Sequence, residues 1–300
     1  MLSGIDPLAE KFLADLRRVQ ERAERAQNQI TSGLRITKAS DSPDDVGRIL
    51  ETHADLDRTT QVLENLRRVK VEVDAAEHSV AMILPLLDRA STLASQGASN
   101  VLAAKTKLYL ATAAEAVLRQ LIGLANTTVE GRYIFSGDAD TTSPYGLDLN
   151  APNGATAYAG AAATRQFEDS NGTRISVSRT AQDIFDDPGG RSAFAAVNSL
   201  RVALVADDQA GIEAAMTGLR DARDLVSQQL AFYGTVQNEV AAGIDLASRR
   251  QTQIRVALAD TREADLVEAA IELQQATFHR EAALNSRARI PRTSLFDYLG

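Results

Sequence analysis

Between residues 5 and 30, apolar side chains recur at alternating three- and four-residue steps: Ile5, Ala9, Phe12, Leu16, Val19, Ala23, Ala26 and Ile30. The positions between them are filled by Glu10, Lys11, Arg17, Arg18, Gln20, Glu21, Arg22, Glu24, Arg25, Gln27 and Asn28. A stripe this narrow is a coiled-coil seam, and a helix that carries one is stable only against a partner. At about 1.5 Å per residue the seam is about 40 Å long, far more apolar surface than a single helix leaves in water. The partner is found near the other end, where Leu266, Ala269, Leu273, Ala276 and Ala283 repeat the step, interrupted by Arg280 and widened by Val267, Ala270, Ile271 and Leu284. The two ends of the chain are therefore expected to pair with each other.

Inside those ends the pattern breaks at Thr31-Ser32-Gly33, and Leu34 to Ser42 reads as a linker. Asp41 or Ser42 caps a new helix, with Pro43 preset for its first turn and Asp44 and Asp45 at the positive end of its dipole. This helix carries Ile49, Leu56, Leu63, Leu66, Val69, Val73, Ala76, Val80, Ile83 and Leu87 and ends near Gly97. Pro85 should kink or split it, because proline lacks the backbone donor and crowds the preceding turn. A further helix is expected from Ser99-Asn100 through Leu108, Ala111, Leu118, Leu121, Ile122, Leu124 and Val129, stopped by Gly131.

From Arg132 to about Pro188 the texture changes to Gly, Asn, Asp, Thr and Pro, with alternating segments at Arg132–Phe135 and Arg174–Ser178. Asp169-Ser170-Asn171-Gly172 reads as a hairpin turn; calcium ligation there would need more carboxylates at ligand spacing than follow. Helical texture resumes at Ser192 to Ala206. A long ladder then runs in one heptad register through Ile212, Met216, Leu219, Val226, Leu230, Tyr233, Val240, Ile244, Ala247, Ile254 and Leu258. It breaks between Ala259 and Asp265, mirroring the break after Ile30. The expected fold is mainly α: a long antiparallel helical coiled-coil rod built from both chain ends, with a small β-rich insert. Three parts are expected: a terminal assembly domain from 1–40 plus 260–300, a helical rod domain from 41–131 plus 190–259, and an outer domain from 132–189.

Composition narrows the function. The chain of 300 residues has a net charge of −8 with acids and bases interspersed, which disfavours nucleic acid. No run approaches the roughly eighteen uninterrupted apolar residues that would span a bilayer, and the start lacks the basic-then-apolar pattern of a cleaved signal. The chain has no cysteine, which removes disulfides and thiolate chemistry. Aromatic content is 5% with no tryptophan, little for a large ligand pocket. His53, His78 and His279 form no metal-ligand spacing, and no phosphate loop or nucleophile elbow is present. Asp138 and Asp140 read as solvated turn acids rather than a catalytic pair. Asn126-Thr127-Thr128 and Asn171-Gly172-Thr173 match a glycosylation pattern at the level of chance. Neither enzyme activity nor a cofactor or metal is expected.

The N-terminal ladder followed by Ile30-Thr31-Ser32-Gly33-Leu34-Arg35-Ile36 and Ala39-Ser40-Asp41-Ser42-Pro43 resembles the N-terminal region of bacterial flagellins and flagellar hook-associated proteins. Ile254-Arg255 through Asp260 and Asp265, Glu272-Leu273-Gln274-Gln275-Ala276 and Ala288-Arg289-Ile290-Pro291 to Leu299 resemble the closing helix of that superfamily, so the resemblance covers residues 1 to 140 and 200 to 300. Asp41-Ser42-Pro43 and Gly131-Arg132-Tyr133-Ile134-Phe135-Ser136-Gly137 are more similar to the junction branch, beside the filament, than to flagellin. Lys38-Ala39-Ser40 departs from the usual linker.

The resemblance implies a secreted, extracellular structural protein that forms the layer between hook and filament by helical polymerisation. Self, neighbouring hook-associated protein, flagellin and an export chaperone would be its partners, with no nucleic acid or membrane. Ile5, Phe12, Leu16, Val19, Ala23, Ile30, Leu266, Ile271, Leu273, Phe278, Leu284 and Leu295 are the expected assembly residues. The alternatives are flagellin itself and a non-flagellar coiled-coil adaptor.

Overall fold

A computed structural model describes residues 7–99, 103–163, 165–168 and 174–288. The chain divides into two compact units, Met1–Thr59 with Arg250–Gly300, and Thr60–Arg249. The boundaries fall inside two long helices, α2 (Pro43–Ala81) and α7 (Gln209–Arg262).

In the first unit, α1 (Pro7–Ser32) packs on α8 (Leu266–Ala288). Their direction is antiparallel: the Arg287 guanidinium lies 5.4 Å from the Phe12 ring centre, Arg22 Nε donates to Glu272 Oε1 at 3.1 Å, and Leu34 bridges Glu263. Pro7 opens α1 at the position where its missing N–H costs nothing. Gly33, at φ +71°, closes it by donating to the Gln29 carbonyl at 2.8 Å. Asp265 caps α8, its Oδ1 accepting from the backbone N–H groups of Val267 and Glu268 at 2.9 and 3.1 Å. Ala26, Ala269 and Ala276 are buried in the seam, where small side chains let the two backbones approach. The pairing of the two ends expected from their ladders is present.

The linker after α1 is tied on both sides. Arg35 N–H donates to the Arg262 carbonyl at 2.8 Å, Ala264 N–H to the Gly33 carbonyl at 3.0 Å, and the Arg35 guanidinium to the Thr261 carbonyl at 2.8 Å. Asp41 Oδ2 accepts from Thr37 N–H, Lys38 N–H and the Thr37 hydroxyl within 2.9 Å. These bonds, the Lys38 N–H first, hold the Asp41 carboxyl below its ordinary value. Helix α2 (Pro43–Ala81) begins at Pro43, as expected. Behind it the Ser42 hydroxyl donates to Asp45 Oδ2, and that bond is the main reason the Asp45 carboxyl also titrates low.

In the second unit the rest of α2 is followed by α3 (Ile83–Gly97), α4 (Ala104–Ala125), α6 (Ala193–Ala206) and the first forty-odd residues of α7 (Gln209–Arg262). The break at Met82 lies just ahead of Pro85, whose missing N–H cannot bond the Ala81 carbonyl. The core is one cluster that includes Leu66, Val80, Ile83, Leu87, Val117, Leu118, Leu121, Leu200, Leu219, Val226, Tyr233 and Val240. The heptad register expected along α7 is realised, with Ile212, Leu219, Val226, Tyr233, Val240 and Ala247 all buried.

Helix α4 is shorter than its pattern predicts. It stops at Ala125, and Thr128–Val129 forms β1, paired antiparallel with β2 (Arg132–Tyr133). The β-branched Thr127-Thr128-Val129 run favours strand, and Glu130 (φ +51°) and Gly131 (φ +78°) supply the two left-handed residues of a tight hairpin turn. Leu108, expected on the inner face, is 49% exposed; buried Lys107 takes that register, its ammonium paired with Asp207.

The segment from 132 to 189 has little sheet. Strands β3 (Gln166–Glu168) and β4 (Arg174–Ser176) form the expected antiparallel hairpin, while its turn at 169–172 lies outside the described residues. A short helix, α5 (Ala181–Phe185), starts on a reciprocal cap between Thr180 and Asp183 that the alternating pattern did not reveal. Few as they are, the aromatics gather here. Phe185 and Phe194 stack at 5.4 Å, Tyr145 meets Phe194 edge-on at 5.0 Å, and Phe135 meets Phe185 at 6.2 Å. Asp140 is not a free turn acid: its Oδ2 accepts from Arg165 at 3.0 Å and Arg132 at 3.3 Å, and Arg165 also reaches Glu72 on α2 at 2.5 Å. Asn126 is likewise committed inward, exchanging bonds with the Tyr145 backbone at 2.7 and 3.2 Å.

Candidate assembly surface

The expected assembly residues separate into two sets. Phe12, Leu16, Val19, Ala23 and Leu273 are half-buried along the seam between α1 and α8. Leu266 (51% exposed), Ile271 (52%), Phe278 (68%) and Leu284 (49%) stand in water, and Ile30 at the end of α1 is also exposed. Ile5 and Leu295 lie outside the described residues.

At about 100° per residue, Ala269, Leu273 and Ala276 project toward α1, whereas Val267, Ile271 and Phe278 share a line on the opposite side of α8. The helix is therefore apolar on two faces, and α1 covers one. On the uncovered face Val267 is 70% exposed, and Ile271, Gln274, Gln275, Phe278 and Glu281 outline a shallow depression. Covering the exposed half to two-thirds of three large apolar side chains is worth about 1–2 kcal/mol each, so this face favours association. Val267, more exposed than Ile271 or Phe278, belongs with them; the sequence marked it as part of a second apolar flank. Leu13 (48% exposed) on α1 was missed, because it sits one step off the seam and interrupts a polar run singly.

No chemistry is concentrated here. Among the described residues no group of three or more His, Asp or Glu could hold a metal. The histidines are apart: His53 Nε2 lies 3.4 Å from the Arg262 guanidinium, and His279 rests against the Phe278 ring at 6.1 Å. The strongly shifted groups are tyrosines of the second unit, Tyr145 and Tyr233 buried and Tyr158 half-buried. Burial first, then the nearby Asp183 carboxylate, pushes the Tyr158 hydroxyl up to about 12, and burial drives Tyr145 and Tyr233 higher still. Each is a satisfied or enclosed core group rather than a reactive one.

Residues 8–140 match the family model of the bacterial flagellin N-terminal helical region. Among solved structures, the chain is similar to a putative flagellar hook-associated protein from Vibrio parahaemolyticus, with 18% identity, a TM-score of 0.67 and coverage of 74% of this chain and 100% of that one. It is similar to FlgL from Xanthomonas campestris, with 14% identity, a TM-score of 0.61 and coverage of 69% and 99%. It also resembles the flagellar junction protein FlgL from Legionella pneumophila, with 13% identity, a TM-score of 0.56 and coverage of 73% and 100%. A search of curated proteins matched none. The mainly α architecture is thus that of the FlgL proteins.

Proposed function

We propose that this chain, which carries the flagellin N-terminal helical region on the FlgL fold, is a structural protein of the bacterial flagellum that forms the layer between hook and filament. The observation that carries the reading is the double-sided α8, with Ala269 and Ala276 buried against α1 and Val267, Ile271 and Phe278 left in water on the far side. A helix apolar on both sides is built for a second contact. Supplied by neighbouring subunits in an open, head-to-tail arrangement, that contact generates a helical layer.

Leu266, Ile271, Phe278, Leu284 and Ile30 would meet neighbouring subunits. Phe12, Leu16, Val19, Ala23 and Leu273 would hold the paired ends in the form that docks, and Ile5 and Leu295 would also take part in assembly. Assembly would then fall to 1–40 plus 260–300, spacing to 41–131 plus 190–259, and the outer surface to 132–189. A hook-associated neighbour on one side, flagellin on the other and an export chaperone before secretion complete the set of partners, and the site of action is extracellular.

Flagellin itself is the second reading, since the N-terminal family region is shared. Immunogold electron microscopy of intact flagella, with an antibody to residues 140–185, separates them. A single band of label where hook meets filament is expected. Label along the filament would replace the junction role with flagellin, and no label on flagella would return the chain to a non-flagellar coiled-coil protein.

A further inference from the structure

A groove of about 650 Å³ runs between α6 and α7 in the second unit. The loop from Leu149 to Pro152 borders it, and its two helical walls are mostly small: Ser199, Val202 and Ala206 from α6, and Gly211, Ala214 and Gly218 from α7. Val202 stands 50% exposed in it. Its charged lining residues are Asp208 and Asp221, both acidic and neither in an ion pair among the described residues. Asp208 immediately precedes α7 and Asp221 lies on it thirteen residues further, about 20 Å away.

The same unit carries a helix face of matching form. Helix α4 packs on α6 and buries Ala111, Ala114, Leu118 and Leu121, while its outer side exposes Leu108 (49%) and Tyr109 (64%), with Thr112 and Ala116 following at one-turn intervals. Lys105 precedes them, and Arg119, 59% exposed and paired within the helix to Glu115 at 2.6 Å, ends the row fourteen residues on, about 21 Å away. Because α4 and α6 turn their inner sides to each other, the row on α4 and the groove on α6 face away from one another. One subunit thus cannot use both on itself, and a series of subunits can.

Direction also agrees. The Lys107 ammonium reaches Asp207, so α4 begins at the end of the unit where α6 finishes and α7 starts, and α4 and α7 run the same way. Copies arranged around an axis along the helices keep that direction. Lys105 then comes to Asp208, Arg119 comes to Asp221, and Leu108 and Tyr109 enter the small-walled groove.

We infer that the outer face of α4 in one copy docks into the α6–α7 groove of the next, a heterologous side-by-side contact between second units within a layer. This rests on the junction reading and adds to it a contact away from the terminal helices.

The chain has no cysteine, so engineered pairs report without background. In cells making Thr112→Cys with Ala214→Cys in one chain, mild oxidation of isolated flagella should give a ladder of disulfide-linked multimers, since a disulfide needs Cα atoms within about 7 Å. Each single variant should remain monomeric. Asp221→Arg should reduce the ladder about fivefold, and adding Arg119→Asp should restore it. Protein present at the junction without a ladder would overturn the groove contact and leave the junction reading standing. Dimers from either single variant would mean a symmetric contact and also overturn it. Protein absent from flagella altogether would overturn both.

Discussion

Lys107 shows how one residue redirects a pattern. Its side chain is 6% exposed while that of its partner Asp207 is 55% exposed, so the ammonium is the member that cannot return to water. Asp207 also stands at φ +58° at the end of α6, a conformation asparagine tolerates as well as aspartate. Asp207→Asn therefore removes the charge and keeps the turn. It should destabilise the second unit by about 1–2 kcal/mol, because the stranded ammonium keeps its desolvation cost, whereas Lys107→Met should cost less than about 1 kcal/mol. Urea unfolding followed by circular dichroism gives both values, and equal losses would contradict this account. The sequence alone placed Leu108 in the inner register, because a lysine in an apolar ladder is read as solvated until its partner, a hundred residues on, is known.

Among elements, the linker between α1 and α2 behaves differently from the helices it joins. Its shape comes from carboxylates: Asp41 and Asp45 gather three donors each, and both titrate below the ordinary value of 3.8. A carboxyl held low in the folded state contributes stability that is present above its unfolded value and is lost as pH falls through the folded one. Amide protection at Thr37 and Lys38 should then fade below about pH 4, with no matching change in the seam, and Asp41→Asn should lower it at neutral pH and flatten the dependence. Hydrogen exchange between pH 3 and 7 checks this, and unchanged protection at Thr37 in the variant would sink it. The helix starts at Pro43 and Ser192 and the stop at Gly33 were legible in the sequence because capping chemistry is local. The end of α4 was not: its apolar spacing continues to Val129, and the β1–β2 hairpin wins only through pairing with Arg132–Tyr133.

For the whole molecule, the test is to separate the two apolar sides of α8. Phe278→Asp alters a side chain 68% exposed, and should leave the helix content and the α1–α8 pairing unchanged while lowering incorporation into flagella by at least about tenfold. Leu273→Asp puts a carboxylate into the seam, and should loosen the pairing itself, read as lost amide protection in both helices. If both variants assemble normally, the terminal helices are not the assembly surface.

What the sequence determined by itself is whatever period and local chemistry encode: the two terminal ladders that pair, the long single-register α7, the split near Pro85 and the turn-rich segment between the helices. A period of 3.5 leaves a helix one stable way to bury its stripe, so these features required no knowledge of distant residues. Tertiary structure alone decided which side of α8 is covered, where α4 stops, and that Tyr145 and Phe185 meet on Phe194. It also decided that the row from Lys105 to Arg119 on α4 and the stretch from Asp208 into α7 at Asp221 run in the same direction on opposite sides of one unit. Each of these depends on contacts between segments far apart in the chain, where burial and pairing outweigh the local preference that a linear pattern can report.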